Sequence, residues 1–154
     1  MKIQVGELDK PDVKALLTEH HNDMLQHSPI ESVHALDLSA LKAPNITFWT
    51  LRINNELAGC GALKKIESGH GEIKSMRTSQ SHLRKGVAKQ LLQHILEQAK
   101  QLNYTRVSLE TGTMAAFLPA QKMYEQFGFE ICEPFANYKK DPYSLFMTKS
   151  QCSF

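Results

Sequence analysis

The stretch Leu83-Arg84-Lys85-Gly86-Val87-Ala88 joins a β-rich run, Glu72 to Thr78, to a segment in which Val87, Leu91, Leu92, Ile95, Leu96, Ala99 and Leu102 recur at helical spacing. The unit therefore reads as strand, loop and amphipathic helix. A helix N-terminus carries about half a positive charge and several N–H groups without helical partners, so a turn entering it suits an anion such as a pyrophosphate. Gly86 lets a ligand approach the backbone, and Ala88 keeps the next helical position small. Arg84 and Lys85 add positive charge at the helix end that is already positive, a placement that a bound anion would offset. The loop contains neither GxxxxGK[ST] nor GxGxxG, so it is not a Walker or dinucleotide fingerprint.

Working outward, Ile3 and Val5 alternate with polar residues in a short opening strand. Asp9 is placed to cap a helix with Pro11 and Asp12 in its first turn and Val13, Leu16 and Leu17 on its apolar face. From His20 to Ala43 the pattern is irregular but helical, with a second start at Ser28-Pro29 and Glu31 and candidate buried positions Val33, Leu36 and Leu38. Ile46 to Ile53, the turn Asn54-Asn55 and Leu57 to Ile66 predict a β-hairpin. Beyond the 86–102 helix, closed by Asn103, come a strand at 105–111, a helix at 115–127 closed by Gly128, and strands at 129–132 and 145–148. This order describes one mixed α/β domain over residues 1–154, with a central twisted, mostly antiparallel sheet of about six to seven strands and about four helices.

Composition excludes several classes of function. The balance of 18 Lys and Arg against 16 Asp and Glu, without charged runs, is not that of a dedicated nucleic-acid binder. Three cysteines, Cys60, Cys132 and Cys152, have no CxxC or other metal-ligand spacing, which argues against a disulfide framework and for a reducing cytoplasm. Seven histidines, among them His20, His21, His27 and His34, show no HExxH pattern, so no metal is expected. The first residues reach charge and glycine too early for a signal peptide, and no run approaches the roughly 18 apolar residues of a membrane span.

The order from the Glu72 to Thr78 strand through Gly86 to the helix ending Tyr124-Glu125-Gln126-Phe127-Gly128-Phe129 resembles the GNAT acetyltransferase superfamily over nearly the whole chain. Its phosphate loop usually reads Gln or Arg, two residues, Gly, one residue, then Gly or Ala. Residues 83–88 match except at Leu83, which takes the polar first position. Ala120, Tyr124 and Gly128-Phe129 look like the family's closing helix, with Phe117 where an asparagine often contacts the cofactor. The run Leu109 to Met114, together with Asp141-Pro142, resembles a bacterial subgroup of small acetyltransferases.

The resemblance implies acetyl-CoA as co-substrate and a small amine as acceptor, with no metal. Coenzyme A would be held by Leu83, Arg84, Lys85, Gly86, Val87, Ala88 and Phe117, and by the backbone of Met76, Arg77 and Thr78. Acetyl transfer needs a neutral amine, oxyanion stabilisation and a proton for the departing thiolate. Glu72, fourteen positions before Gly86, is the candidate base, with Glu110 competing; Tyr124 is the candidate acid. Regular strand alternation would place Glu72, Lys74, Met76 and Thr78 on one face. His20, His21, Asn22, Met24 and Trp49 fall where the family builds acceptor-site walls. Two other readings stand beside catalysis: a non-catalytic acyl-CoA sensor of the same fold, and nucleic-acid binding through Arg84, Lys85 and Lys89. Family members often dimerise, so a homodimer is compatible with the resemblance.

Overall fold

The computed structural model describes residues 1–30 and 38–151; the expectations at Glu31, Val33, His34, Leu36 and Cys152 lie outside the described residues. Strands β1 (Lys2–Val5), β2 (Ile46–Ile53), β3 (Glu56–Glu67), β4 (His70–Thr78), β5 (Arg106–Gly112), β6 (Glu130–Cys132) and β7 (Ser144–Ser150) form a seven-stranded sheet in the order β1-β2-β3-β4-β5-β7-β6. Every neighbouring pair is antiparallel except β4 and β5. Helices α1 (Pro11–His27), α2 (Leu38–Leu41), α3 (Val87–Gln101) and α4 (Leu118–Gln126) complete the element order expected from the sequence.

Each face of the sheet has its own core. On one, Val87, Leu91, Leu92, Ile95, Leu96 and Ala99 of α3 pack on Leu51, Leu63, Ile73, Val107, Leu109 and Met147. On the other, Val13 and Leu16 of α1 join Leu41, Phe48, Cys60 and Ala62. The close seats of α3 and of the Met76 side chain explain two glycines in β3. A Cβ on Gly59 would stand 2.7 Å from Val87, and one on Gly61 2.5 Å from the Met76 sulfur and 3.0 Å from Ile95, closer than the packing allows.

The helix ends follow local chemistry. Asn103 closes α3 at φ 63 and Gly128 closes α4 at φ 93. In both cases the next amide, Tyr104 N–H or Phe129 N–H, reaches back to Ala99 or Tyr124 respectively, the Schellman arrangement. Leu102, counted on the apolar stripe of α3, instead caps it and is exposed. At α1 the cap is Lys10, without a side-chain bond, rather than Asp9. The Asp9 carboxylate accepts from Lys42 at 2.7 Å instead. Residues 115–117 form a tight 3₁₀ turn before α4 rather than part of it.

Candidate active site

Strands β4 and β5 pair only from His70 and Arg106 to Ile73 and Leu109. Past that rung they separate, β4 running on to Thr78 and β5 to Gly112. A bulge lies in the same part of β4. Its register with β3 jumps from Cys60↔Arg77 to Ala62↔Lys74, leaving Ser75 and Met76 opposite Gly61. Ser75 adopts φ 55, and the Cys60 thiol donates to its carbonyl at 3.3 Å.

The bulge resets the strand's alternation. Ile73 and Met76 pack with the α3 core, and Thr78 pairs with Gly59 beneath that helix. Lys74 pairs with Ala62 of the opposite core, while the Arg77 guanidinium reaches α1, donating to Asp23 at 2.6 Å and Glu19 at 2.7 Å. Glu72 and Met76 therefore face opposite ways, contrary to strict alternation, because one extra residue at the bulge shifts the phase. The strand separation nevertheless exposes both to one cavity of about 130 Å³, which Glu110, Phe117, Ala120 and Tyr124 also line.

A second cavity, of about 430 Å³, continues from there between α1, α3 and α4. Its walls include Met76, Arg77, Thr78, Leu83, Ala88 and Phe117. Gly86 sits at the N-cap of α3 with φ 79, and Arg84 has φ 64, so the loop turns twice through left-handed backbone before the helix begins. A Cβ on Gly86 would meet nothing within 4 Å, so its side is open. Leu83 is 54% exposed, Arg84 and Lys85 are exposed, and Val87 is buried in the core. Val87 thus anchors the helix with its side chain and has only its backbone to offer a ligand. Phe117 lies over Gly112, whose hypothetical Cβ would fall 2.2 Å from the ring, and meets His27 edge-on at 6.1 Å.

Glu72 and Lys74 form the wall between the first cavity and a third, of about 600 Å³, on the far side. Tyr138 O–H donates to Glu72 Oε2 at 2.6 Å; Lys74 Nζ donates to the same oxygen at 3.1 Å and to Tyr138 Oη at 2.7 Å. Burial, followed by the Glu72 charge, raises the Tyr138 phenol well above its usual range, so its proton stays in place as a donor. Phe135 and Phe146 pack edge-on to one another and against Tyr138. Tyr138 and the role of Lys74 were not legible in sequence, because the two are joined across 64 positions.

Tyr124 is buried at the junction of the first two cavities, edge-on to Phe129 at 5.7 Å. Burial raises its phenol too, which keeps it protonated. Of the residues expected to wall the acceptor site, His20 and Met24 line the cavities, and loss of solvent with the nearby Arg77 charge brings His20 down to about 4. His21 and Asn22 are exposed on α1 and line none of these cavities. Trp49 is a core residue, 3% exposed and edge-on to His94 of α3 at 5.6 Å. A cavity of about 800 Å³ at the β1–α1 end is lined by Glu7, Lys10, Asp12 and Arg52, which are paired with one another, Lys10 with Glu7 and Arg52 with both carboxylates.

Comparison with known proteins bears on the fold that frames this splay. The profile of the Acetyltransferase (GNAT) family matches residues 12–129. The chain belongs to the GNAT acetyltransferase family. The chain is 59% identical to the uncharacterized N-acetyltransferase YsnE of Bacillus subtilis (strain 168), covering 97% of this chain and 99% of that protein. It is 47% identical to the uncharacterized N-acetyltransferase YedL of Escherichia coli (strain K12), over 97% and 94% of the two chains. A Bacillus subtilis acetyltransferase solved in complex with CoA shares the fold at TM-score 0.73 and 21% identity, covering 98% of this chain and 99% of that one. Among the described residues of this GNAT protein, no helix is long and apolar enough to cross a membrane.

Proposed function

We propose that the chain transfers the acetyl group of acetyl-CoA to the amine of a small molecule by direct attack within a ternary complex. The observation that carries this reading is the first cavity: Glu72 and Tyr124 line it together, where β4 and β5 part. The second cavity leads from there to Leu83 and Ala88 at the start of α3, a course that suits pantetheine running to a pyrophosphate on the helix N-terminus. The CoA complex of the Bacillus subtilis acetyltransferase, which shares the fold, is consistent with that assignment.

In the proposed reaction Glu72, acting through a water in the cavity, takes the proton from the acceptor amine. The nitrogen adds to the thioester carbonyl carbon, and the oxyanion is met by the Met76 N–H beside the bulge. Collapse breaks the C–S bond, Tyr124 gives its proton to the departing sulfur, and the second proton lost by the nitrogen restores the phenol. Glu110, on the same cavity wall, is the alternative base.

Thiol release from acetyl-CoA, measured against a panel of amino acids, polyamines, aminoglycosides and peptides, tests the proposal. Acceptor-dependent release that falls about a hundredfold or more in Glu72→Gln supports it. Tight acetyl-CoA binding without release for any amine would favour the acyl-CoA sensor instead. Full activity in Glu72→Gln with loss in Glu110→Gln would move the base to Glu110.

A further inference from the structure

The third cavity has a charge pattern of its own. Lys64, Lys74, Lys139 and Lys140 line it against Glu72 and Asp141, four positive charges to two negative. Lys64 stands opposite Glu72 in the β3–β4 register and is half-buried, so its ammonium belongs to the same patch of sheet. Lys74 is the deepest of the four, its side chain 8% exposed. Its ammonium has three N–H donors, of which two go to Glu72 and Tyr138, which leaves one N–H for a ligand. The pairing of Lys140 with Glu133, at 3.3 Å and with both side chains more than three-quarters exposed, is too solvated to neutralise the patch.

These charges discriminate among amines. A polyamine or aminoglycoside would bring further positive charge into a cationic cavity. A ligand carrying both an amine and a carboxylate would place its anion on the lysines and its nitrogen beside the wall carboxylate, Glu72. At about 600 Å³ the cavity is in the usual range for small-molecule sites. We infer that the acetyl acceptor is a free amino acid, its carboxylate held by Lys74 and Lys64 and its amine directed to Glu72. This rests on the acetyltransferase reading above, and deepens it by naming the substrate class.

The test compares matched acceptors in thiol release by the purified protein: amino acids, their carboxamides and the corresponding simple amines, with spermidine as the cationic extreme. The expected result is a kcat/KM at least about tenfold higher for the acids than for the amides, with spermidine lowest. Lys64→Met should bring the acid-to-amide ratio toward unity while the KM for acetyl-CoA stays put. Amides or spermidine used as well as the acids would overturn the inference, as would an unchanged ratio in Lys64→Met. Calorimetry with N-acetyl amino acids and N-acetyl amino amides on the CoA-loaded protein separates the two readings. Selective binding of the acids without turnover of any acceptor would keep the amino-acid cavity and sink catalysis. Turnover without acid selectivity would do the reverse, and neither binding nor turnover would sink both.

Discussion

On the α3 side of the splay, the walls are made of backbone and apolar side chains: the bulge at Ser75 and Met76, the double left-handed turn at Arg84 and Gly86, and Leu83, Ala88 and Phe117. On the far side they are charged side chains, with Glu72, Lys74 and Tyr138 bonded to one another and lysines around them. A backbone surface recognises what any acyl-CoA has in common, a pyrophosphate and an amide-bearing arm. A side-chain surface can be changed by single substitutions without disturbing the sheet, which suits the half of the reaction that differs among relatives. The contrast predicts that variants on the two sides separate kinetically, those near α3 acting on KM for acetyl-CoA and those near Tyr138 on kcat and on acceptor use.

The sharpest division comes from Glu72→Gln. Loss of the proposed base should lower kcat by about 10²–10⁴-fold with little change in KM for acetyl-CoA, measured by steady-state thiol release. A KM change of that size instead would erase the distinction between the sides. Next is Gly86→Val: a β-branched residue at φ 79 carries a strain of about 1–2 kcal/mol despite the open space beside it, so KM for acetyl-CoA should rise about tenfold while kcat holds. Tyr138→Phe keeps the packing on Phe135 and Phe146 but removes the donor to Glu72. It should reduce kcat by about tenfold, the lower end of the worth of a hydrogen bond to a charged group, because Lys74 still donates to the same oxygen, and leave KM for acetyl-CoA alone.

The last effect is on stability rather than on rate and concerns His20, which lines the first and second cavities. Its folded value of about 4 lies below the ordinary 6.5, so between those two pH values the unfolded chain binds the extra proton. Stability is therefore complete above about pH 6.5 and declines as pH falls toward 4, by up to about 3 kcal/mol from this residue. Thermal melts of His20→Gln against the parent protein should show a shallower decline over that window. Equal slopes would place His20 in water in the folded state.

The sequence made the α3 side legible because its signals are local. Helical spacing from Val87 to Ala99, a helix start at Gly86, and Asn103 and Gly128 as terminators each depend on residues a few positions apart, and all appear in the structure. The far side depends on contacts no short pattern encodes. Tyr138 meets Glu72 across 66 positions, from a loop whose course is set by Phe135 and Phe146. The bulge is not legible in the sequence for a related reason: nothing in Lys74-Ser75-Met76 demands it, and it arises from the mismatch with β3 at Gly61. Trp49, which the family resemblance puts among the acceptor-site walls, belongs to the sheet core; an aromatic in a strand does not reveal which layer covers it.

The Cys60 thiol beneath the bulge has a practical use. Enclosed on all sides and pushed up to about 12 by that burial, it will not exchange with the aromatic disulfides used to titrate free coenzyme A. While the sheet is intact, this sulfur contributes no signal to such an assay. When β3 and β4 part, it becomes an ordinary cysteine and colours the reagent by one equivalent. The protein therefore carries a native clock for the opening of its central strands, readable in the same cuvette and without attaching any dye.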